Sequence, residues 1–337
     1  MSASAPVSAH DSHWIPTTVN SWVRGLAVAS LLSNGLLIFT GGLVRLTASG
    51  LGCPTWPRCT AESWTNTPAM GIHGLIEFGN RLLTFVLAVV AVLTFVSVLR
   101  LRHQYPRIFG LALVLGLGIP LQAVLGGITV HLQLHPLVVG VHYLLSAAMC
   151  TLATLLVLNT RRAGLPTVAE AQRPGRLAGR ESLVRGLGIA VAVFSAVVIY
   201  MGTLVTGTGP HAGDDDSARL AFDSLGITRL HAVPVYLLAL TVVAGLVLCA
   251  VKNMPAVLRN AYLVLAAVLV AQALVGYYQY FNHVPVPAVS LHMVLSVVLI
   301  WAATRTTSIS FQLAKDPVED AAEREIARES AVAEPLA

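Results

Sequence analysis

Eight apolar runs, near 22–46, 71–100, 107–130, 137–160, 186–208, 229–251, 257–281 and 287–305, decide what this chain can become. Each reaches the roughly 20 residues that a helix needs to cross a hydrocarbon core. Inside lipid every backbone N–H and C=O must be satisfied within its own segment, so runs of this length fold as helices. The composition agrees, with 55% hydrophobic and 11% charged residues and a mean hydropathy of +0.74. Residues 1–21 are polar and the first apolar run is too long for a signal peptide, so no cleaved leader is expected.

Charge sets the expected orientation. With a cytoplasmic N-terminus, 16 of the 21 basic residues fall on the cytoplasmic side, leaving Arg45, Arg58, Arg81, Arg219 and Arg229 to the outer half. The positive-inside rule then places both termini in the cytoplasm. This bias accounts for the pI near 9.2, so no nucleic-acid partner is needed. The predicted fold class is an all-α polytopic membrane protein of eight helices in two pseudo-symmetric four-helix bundles. Its expected parts are a cytoplasmic segment 1–21, an N-terminal bundle 22–160, a flexible linker 161–185, a C-terminal bundle 186–305 and a cytoplasmic tail 306–337.

The division into halves rests on a repeat. Gln122-Ala-Val-Leu-Gly126 precedes His142, and Gln272-Ala-Leu-Val-Gly276 precedes His292; in both copies the histidine lies 20 residues after the glutamine. Ionisable side chains within a bilayer are costly, and imidazole is a common axial ligand of heme iron. An even number of crossings separates the copies, so they share one orientation. His231, 61 residues before His292, opens the sixth helix near the outer surface. His231 and His292 therefore read as facing ligands of a b-type heme; the alternative is two separately hydrogen-bonded core histidines. In the first half the residue 62 before His142 is Asn80.

His73, Glu77, Asn80 and Arg81 fall on one face of the second helix. A histidine, a carboxylate and an arginine on one stripe read as an active site, or more plainly as a Glu77–Arg81 pair neutralising itself. Arg45 and Arg81 could meet anionic groups such as heme propionates, or reach up to lipid headgroups. His131, His135, His211 and His283 lie in outer turns, open to proton transfer or metal capture; His10, His13 and His103 read as solvated. Cys150 and Cys249 sit in apolar runs as buried thiols. Cys53 and Cys59 share the first outward loop, where an oxidising exterior favours a structural disulfide, with a redox-active pair as the alternative. No Walker loop or dinucleotide fingerprint is present, so bound cofactors must carry the chemistry.

These pieces resemble the heme A synthases of aerobic respiration. The resemblance is carried by Gly41 through Cys59, Ile76 through Arg81, Gln122 through His142, Thr206 through Asp214, and Gln272 through His292. It implies a plasma-membrane enzyme that oxidises a ring methyl of heme O to the formyl of heme A. By the same resemblance, His231 and His292 hold heme b, the N-terminal half binds heme O on His142, and Glu77 is needed for the reaction. Asn80, Arg81, Arg45, Gln122 and Gln272 are expected heme contacts. The implied partners are heme O and heme A, a heme O synthase as supplier, an unidentified electron donor and the lipid bilayer, with a homo-oligomer left open.

Two departures stand out. The family typically carries histidine where this chain has Asn80, so iron in the first half is expected to rest mainly on His142. Its other face is then open, water-bound or reached by His73. The C-terminal outer loop has Asp214, Asp215 and Asp216 and no cysteine pair. The rival readings are a cytochrome b-type electron carrier and a non-enzymatic heme carrier or assembly factor.

Overall fold

The computed structural model describes residues 15–163 and 179–314. Among these, the long elements are helices: α1 Ser21–Leu46, α2 Gly71–Val98, α3 Pro106–His131, α4 Pro136–Arg162, α5 Glu181–Thr208, α6 Ser224–Val251, α7 Ala256–Phe281 and α8 Val286–Leu313. No strand occurs among the described residues, and all eight helices are long and apolar enough to cross a bilayer. Local chemistry fixes the starts. The Asn20 side chain accepts from Val23 N at 3.1 Å and Asp223 from Gly226 N at 2.6 Å, each satisfying an orphan first-turn donor. Pro106 and Pro136 occupy first-turn positions of α3 and α4, where the missing N–H costs nothing.

Three helices depart from the lengths expected of them. α5 begins at Glu181 and α6 at Ser224, five residues earlier than hydropathy places them, because the charged Glu181 and Arg185 of α5 and the Asp223 cap of α6 lower the hydropathy there without breaking the helix. α8 runs to Leu313, eight residues past the expected end. Its last turns are rich in Thr and Ser, which lower hydropathy but close their own hydrogen bonds inside the helix, as Thr306 does to Ala302 O and Ser310 to Thr306 O. The stretch 306–313 is thus packed helix, and Thr307 reaches Gly188 O of α5 at 3.1 Å. The linker likewise loses both ends to α4 and α5; its middle, 164–178, lies outside the described residues, as do the tail from 315 and residues 1–14 with His10 and His13.

The helices close two rings. In the first, α1 packs on α2, α2 on α3, α3 on α4 and α4 on α1; in the second, α5, α6, α7 and α8 follow the same order. The rings meet through α1, α4, α5 and α8. Each ring has its own core. Val23, Leu87, Leu101, Leu115 and Leu156 lie in the first, and Val191, Leu238, Tyr262, Leu265 and Leu299 in the second. The seam is thinner, with Ile38, Ala147, Cys150 and Ile300 buried there and hydrogen bonds across it that include the Tyr143 hydroxyl with Ser296 Oγ at 2.9 Å and Arg162 Nη1 to Ser308 Oγ at 3.2 Å. Outward faces carry leucines and valines such as Leu240, 65% exposed, as a lipid-facing surface does.

Packing in the second ring is close enough to test. A Cβ built on Gly245 of α6 would run into the Tyr262 ring of α7, which is buried. Gly245→Ala is expected to cost about 1–3 kcal/mol, read as a lowered Tm of the purified protein.

Candidate functional site

Eight successive membrane-length helices cross in alternating directions, so α2, α4, α6 and α8 all start at one end of the molecule. His142, His231 and His292 lie six, seven and six residues into α4, α6 and α8. At 1.5 Å per residue each imidazole is about 9–11 Å below its helix start, so the three share one depth. α6 and α8 sit diagonally across the second ring, and His231 and His292 are within electrostatic reach of each other.

The two copies of the repeat make matching contacts. Gln122 Nε2 donates to the His142 carbonyl at 3.3 Å, and Gln272 Nε2 to the His292 carbonyl at 3.3 Å. Both glutamines thus brace the backbone of the histidine and leave Oε1 without a partner. A Cβ added to Gly126 would lie 3.4 Å from His142 Cε1, and one on Gly276 would lie 3.7 Å from His292 Cε1. Gly202 stands in the same relation to His231, at 3.6 Å. Ser146 and Ser296 occupy matching places too, but bond differently: Ser146 Oγ accepts from Gln122 Nε2 at 2.6 Å, whereas Ser296 turns to Tyr143 across the seam.

His142, His231 and His292 each bury an Nδ1 that has no hydrogen-bond partner. Leaving such a group unsatisfied costs about 1–3 kcal/mol, and metal coordination is one way to satisfy it. Three orphaned imidazoles beside glycines fit a heme: two face across the second ring and one lies in the first. An open groove of about 380 Å³ between the outer ends of α5 and α6 is lined by Met201, Leu204, Phe222, Asp223, Gly226, Ile227 and Leu230.

The first ring is occupied differently on its α2 side. Asn80 Oδ1 accepts from Thr40 Oγ1 at 2.7 Å. His73 is exposed at the helix start and is tied through Nδ1 to Ser49 Oγ at 2.9 Å, unlike the three orphans. Glu77 is buried and takes three donors: Cys53 N at 2.5 Å on Oε2, and Arg81 Nε and Nη2 at 3.1 and 2.5 Å on Oε1. Arg81 also donates to the carbonyls of Cys53, Thr55 and Arg58 at 3.0, 3.0 and 3.3 Å. All five of its N–H groups are engaged. Glu77 and Arg81 therefore form the expected i,i+4 pair and, beyond it, grip the outer loop that the Cys53–Cys59 disulfide closes. Cys150 and Cys249 are free and buried.

Arg45 is directed sideways, to the carbonyls of His211 at 2.5 Å and Thr206 at 2.7 Å. His211 in turn bonds the Val284 carbonyl at 3.0 Å, and Gly50 N donates to Gly213 O at 2.8 Å, so the two outer loops are tied together. Gly213 holds a φ of 101° there, which suits glycine. His131 ends α3, His135 caps α4 and His283 lies in the α7–α8 turn, none of them beside the orphaned imidazoles in sequence. The sequence alone did not single out Tyr143, Ser146, Ser296 or Trp56. The Trp56 ring lies against Gly127 of α3, where any Cβ would meet it, so the disulfide loop roofs the first ring.

This arrangement has known counterparts. The family model for COX15-CtaA, cytochrome oxidase assembly protein, matches residues 24–213. The chain belongs to that family. Its matched stretch contains Glu77, Arg81, His142, the disulfide loop and Arg45. Among curated proteins, a heme A synthase of Methylobacterium radiotolerans is 30% identical over 58% of this chain and 57% of its own length. One of Geobacillus kaustophilus is 27% identical over 42% of the chain and 44% of its length. One of Methylorubrum extorquens is 28% identical over 85% of each. The chain thus spans about half the length of the first two relatives and most of the third.

Proposed function

We propose that this family member is a heme A synthase of the plasma membrane, with both termini cytoplasmic, converting heme O to heme A. The observation that supports it most is the trio of orphaned imidazoles at one depth, with a buried carboxylate in the ring that has only one of them. In this reading His231 and His292 hold heme b in the second ring, and His142 holds heme O in the first. When bound, the hemes would supply the redox chemistry for the net oxidation of a ring methyl to a formyl group, in successive oxygenation steps that take an oxygen-atom source and an electron donor from outside the chain. Gln122 and Gln272 fix the histidine-bearing backbone, and Gly126, Gly202 and Gly276 leave room beside each imidazole. The Trp56 loop covers the first ring against water. Glu77 places its carboxylate at the same level as His142, about 9 Å into α2, to handle protons or offset positive charge at the reacting carbon. A heme O synthase is the natural supplier of substrate.

The test is to express the full chain in cells that make heme O but not heme A, then extract and separate the hemes. Heme A is expected; folded, heme-loaded protein that yields heme O alone overturns the proposal. One observation favours a second reading, a heme carrier without turnover: Glu77 is fully engaged in gripping the outer loop.

A further inference from the structure

Opposite the histidines, at the other end of the helices, α1, α4 and α8 come together where the rings join. Arg162, the last residue of α4, donates from Nη1 to Ser308 Oγ of α8 at 3.2 Å. Arg305 lies one turn before Ser308 on the same face of α8, so its guanidinium is brought to that of Arg162, close enough for the two to repel. Arg24 of α1 approaches from the third side, its Nε donating to Thr160 O at 3.2 Å, two residues before Arg162. Both Arg162 and Arg305 are half-buried. Neighbouring Arg185 is occupied on the Phe311 ring at 5.5 Å. Among the described residues, the ion pair found is Glu77–Arg81 at the far end, so no carboxylate answers this cluster. Two half-buried like charges held together are unfavourable unless an anion joins them, and paired guanidinium donors match the oxygens of a phosphate.

Depth identifies the source of the phosphate. Arg305 is eight residues, about 12 Å, inside the end of α8. The exposed Trp22 opens α1 two residues before Arg24; an exposed tryptophan at a helix end marks the headgroup region. We propose that Arg162 and Arg305, with Arg24 beside them, hold the phosphate of an acidic membrane lipid in the seam between the two rings. Basic pockets between membrane helices bind headgroups in this way. The site is independent of the heme reading, and so is its test.

Full-length protein is purified in neutral detergent, then titrated with phosphatidylglycerol, phosphatidylcholine or inorganic phosphate. Thermal stability and lipids retained in native mass spectra are the readouts. One phosphatidylglycerol per chain and a raised Tm are expected, with phosphatidylcholine and inorganic phosphate inert. Arg305→Gln and Arg162→Gln should fold without added lipid, since each removes a repulsion, yet bind phosphatidylglycerol at least about tenfold more weakly. Arg100→Gln, which removes an exposed charge at the same end, should bind as the parent does. The proposal is overturned if the Arg305 and Arg162 variants keep the full lipid response, if Arg100→Gln loses as much, or if inorganic phosphate reproduces the shift.

Discussion

Protein carrying His231→Leu and His292→Leu together is expected to lose the b-type heme spectrum of its C-terminal half while still folding. Each single change should weaken heme retention by at least about tenfold, as even outer-shell changes do at metal sites; the pair should abolish it. The stability of heme-free protein separates ligation from packing. A satisfied core histidine replaced by leucine strands its partner and costs about 1–3 kcal/mol. Here the Nδ1 atoms of both residues have no partner to strand, so the heme-free variants should melt within about 1 kcal/mol of the parent. An unchanged absorption spectrum in the double variant would remove the second heme site. A large loss of stability without heme would return both residues to the role of core polar groups.

Glu77→Gln is expected to lower turnover about 10²–10⁴-fold, the range of positioned acid–base groups, with heme content preserved. The geometry supplies a competing explanation that must be separated. A glutamine keeps one acceptor oxygen but turns an NH₂ toward either Cys53 N or Arg81, a donor against a donor, so the outer loop should loosen by about 1–3 kcal/mol. Arg81→Gln loosens the same loop by another route, withdrawing donors from the carbonyls of Cys53, Thr55 and Arg58 while leaving the carboxylate in place. If Arg81→Gln retains most activity and Glu77→Gln does not, the carboxylate acts on the reaction. Equal losses in both would make Glu77 a positioning residue for the loop that carries Trp56.

The helices were legible because lipid makes hydropathy nearly sufficient, and they were misread where that measure fails: α8 continues through Thr306 and Ser310, whose hydroxyls bond back onto the helix, and Thr307, whose hydroxyl bonds Gly188 O of α5. The repeat of Gln122 and His142 at Gln272 and His292 was legible as spacing, and the bracing contact it encodes is the same in both copies. The cysteine pair was legible for the same reason: a short closed loop leaves few alternatives. What escaped was contact with distant backbone. Arg45 and Arg81 read as anion seekers; Arg81 does meet the Glu77 carboxylate, and both also engage carbonyls, those of His211, Thr206, Cys53, Thr55 and Arg58. A carbonyl has no signature in sequence, since every residue carries one. Tyr143 and Ser296 escaped likewise, being 153 positions apart with no rule of spacing between them.

The thin seam between two well-filled rings makes each half its own cooperative unit. Subglobal opening follows such divisions, so damage confined to one ring should be sustained by that ring alone. A chain organised this way can change the side chains lining one ring without forfeiting the architecture of its neighbour. Differences between the two rings, such as Asn80 on α2 of the first and His231 on α6 of the second, are what that tolerance permits.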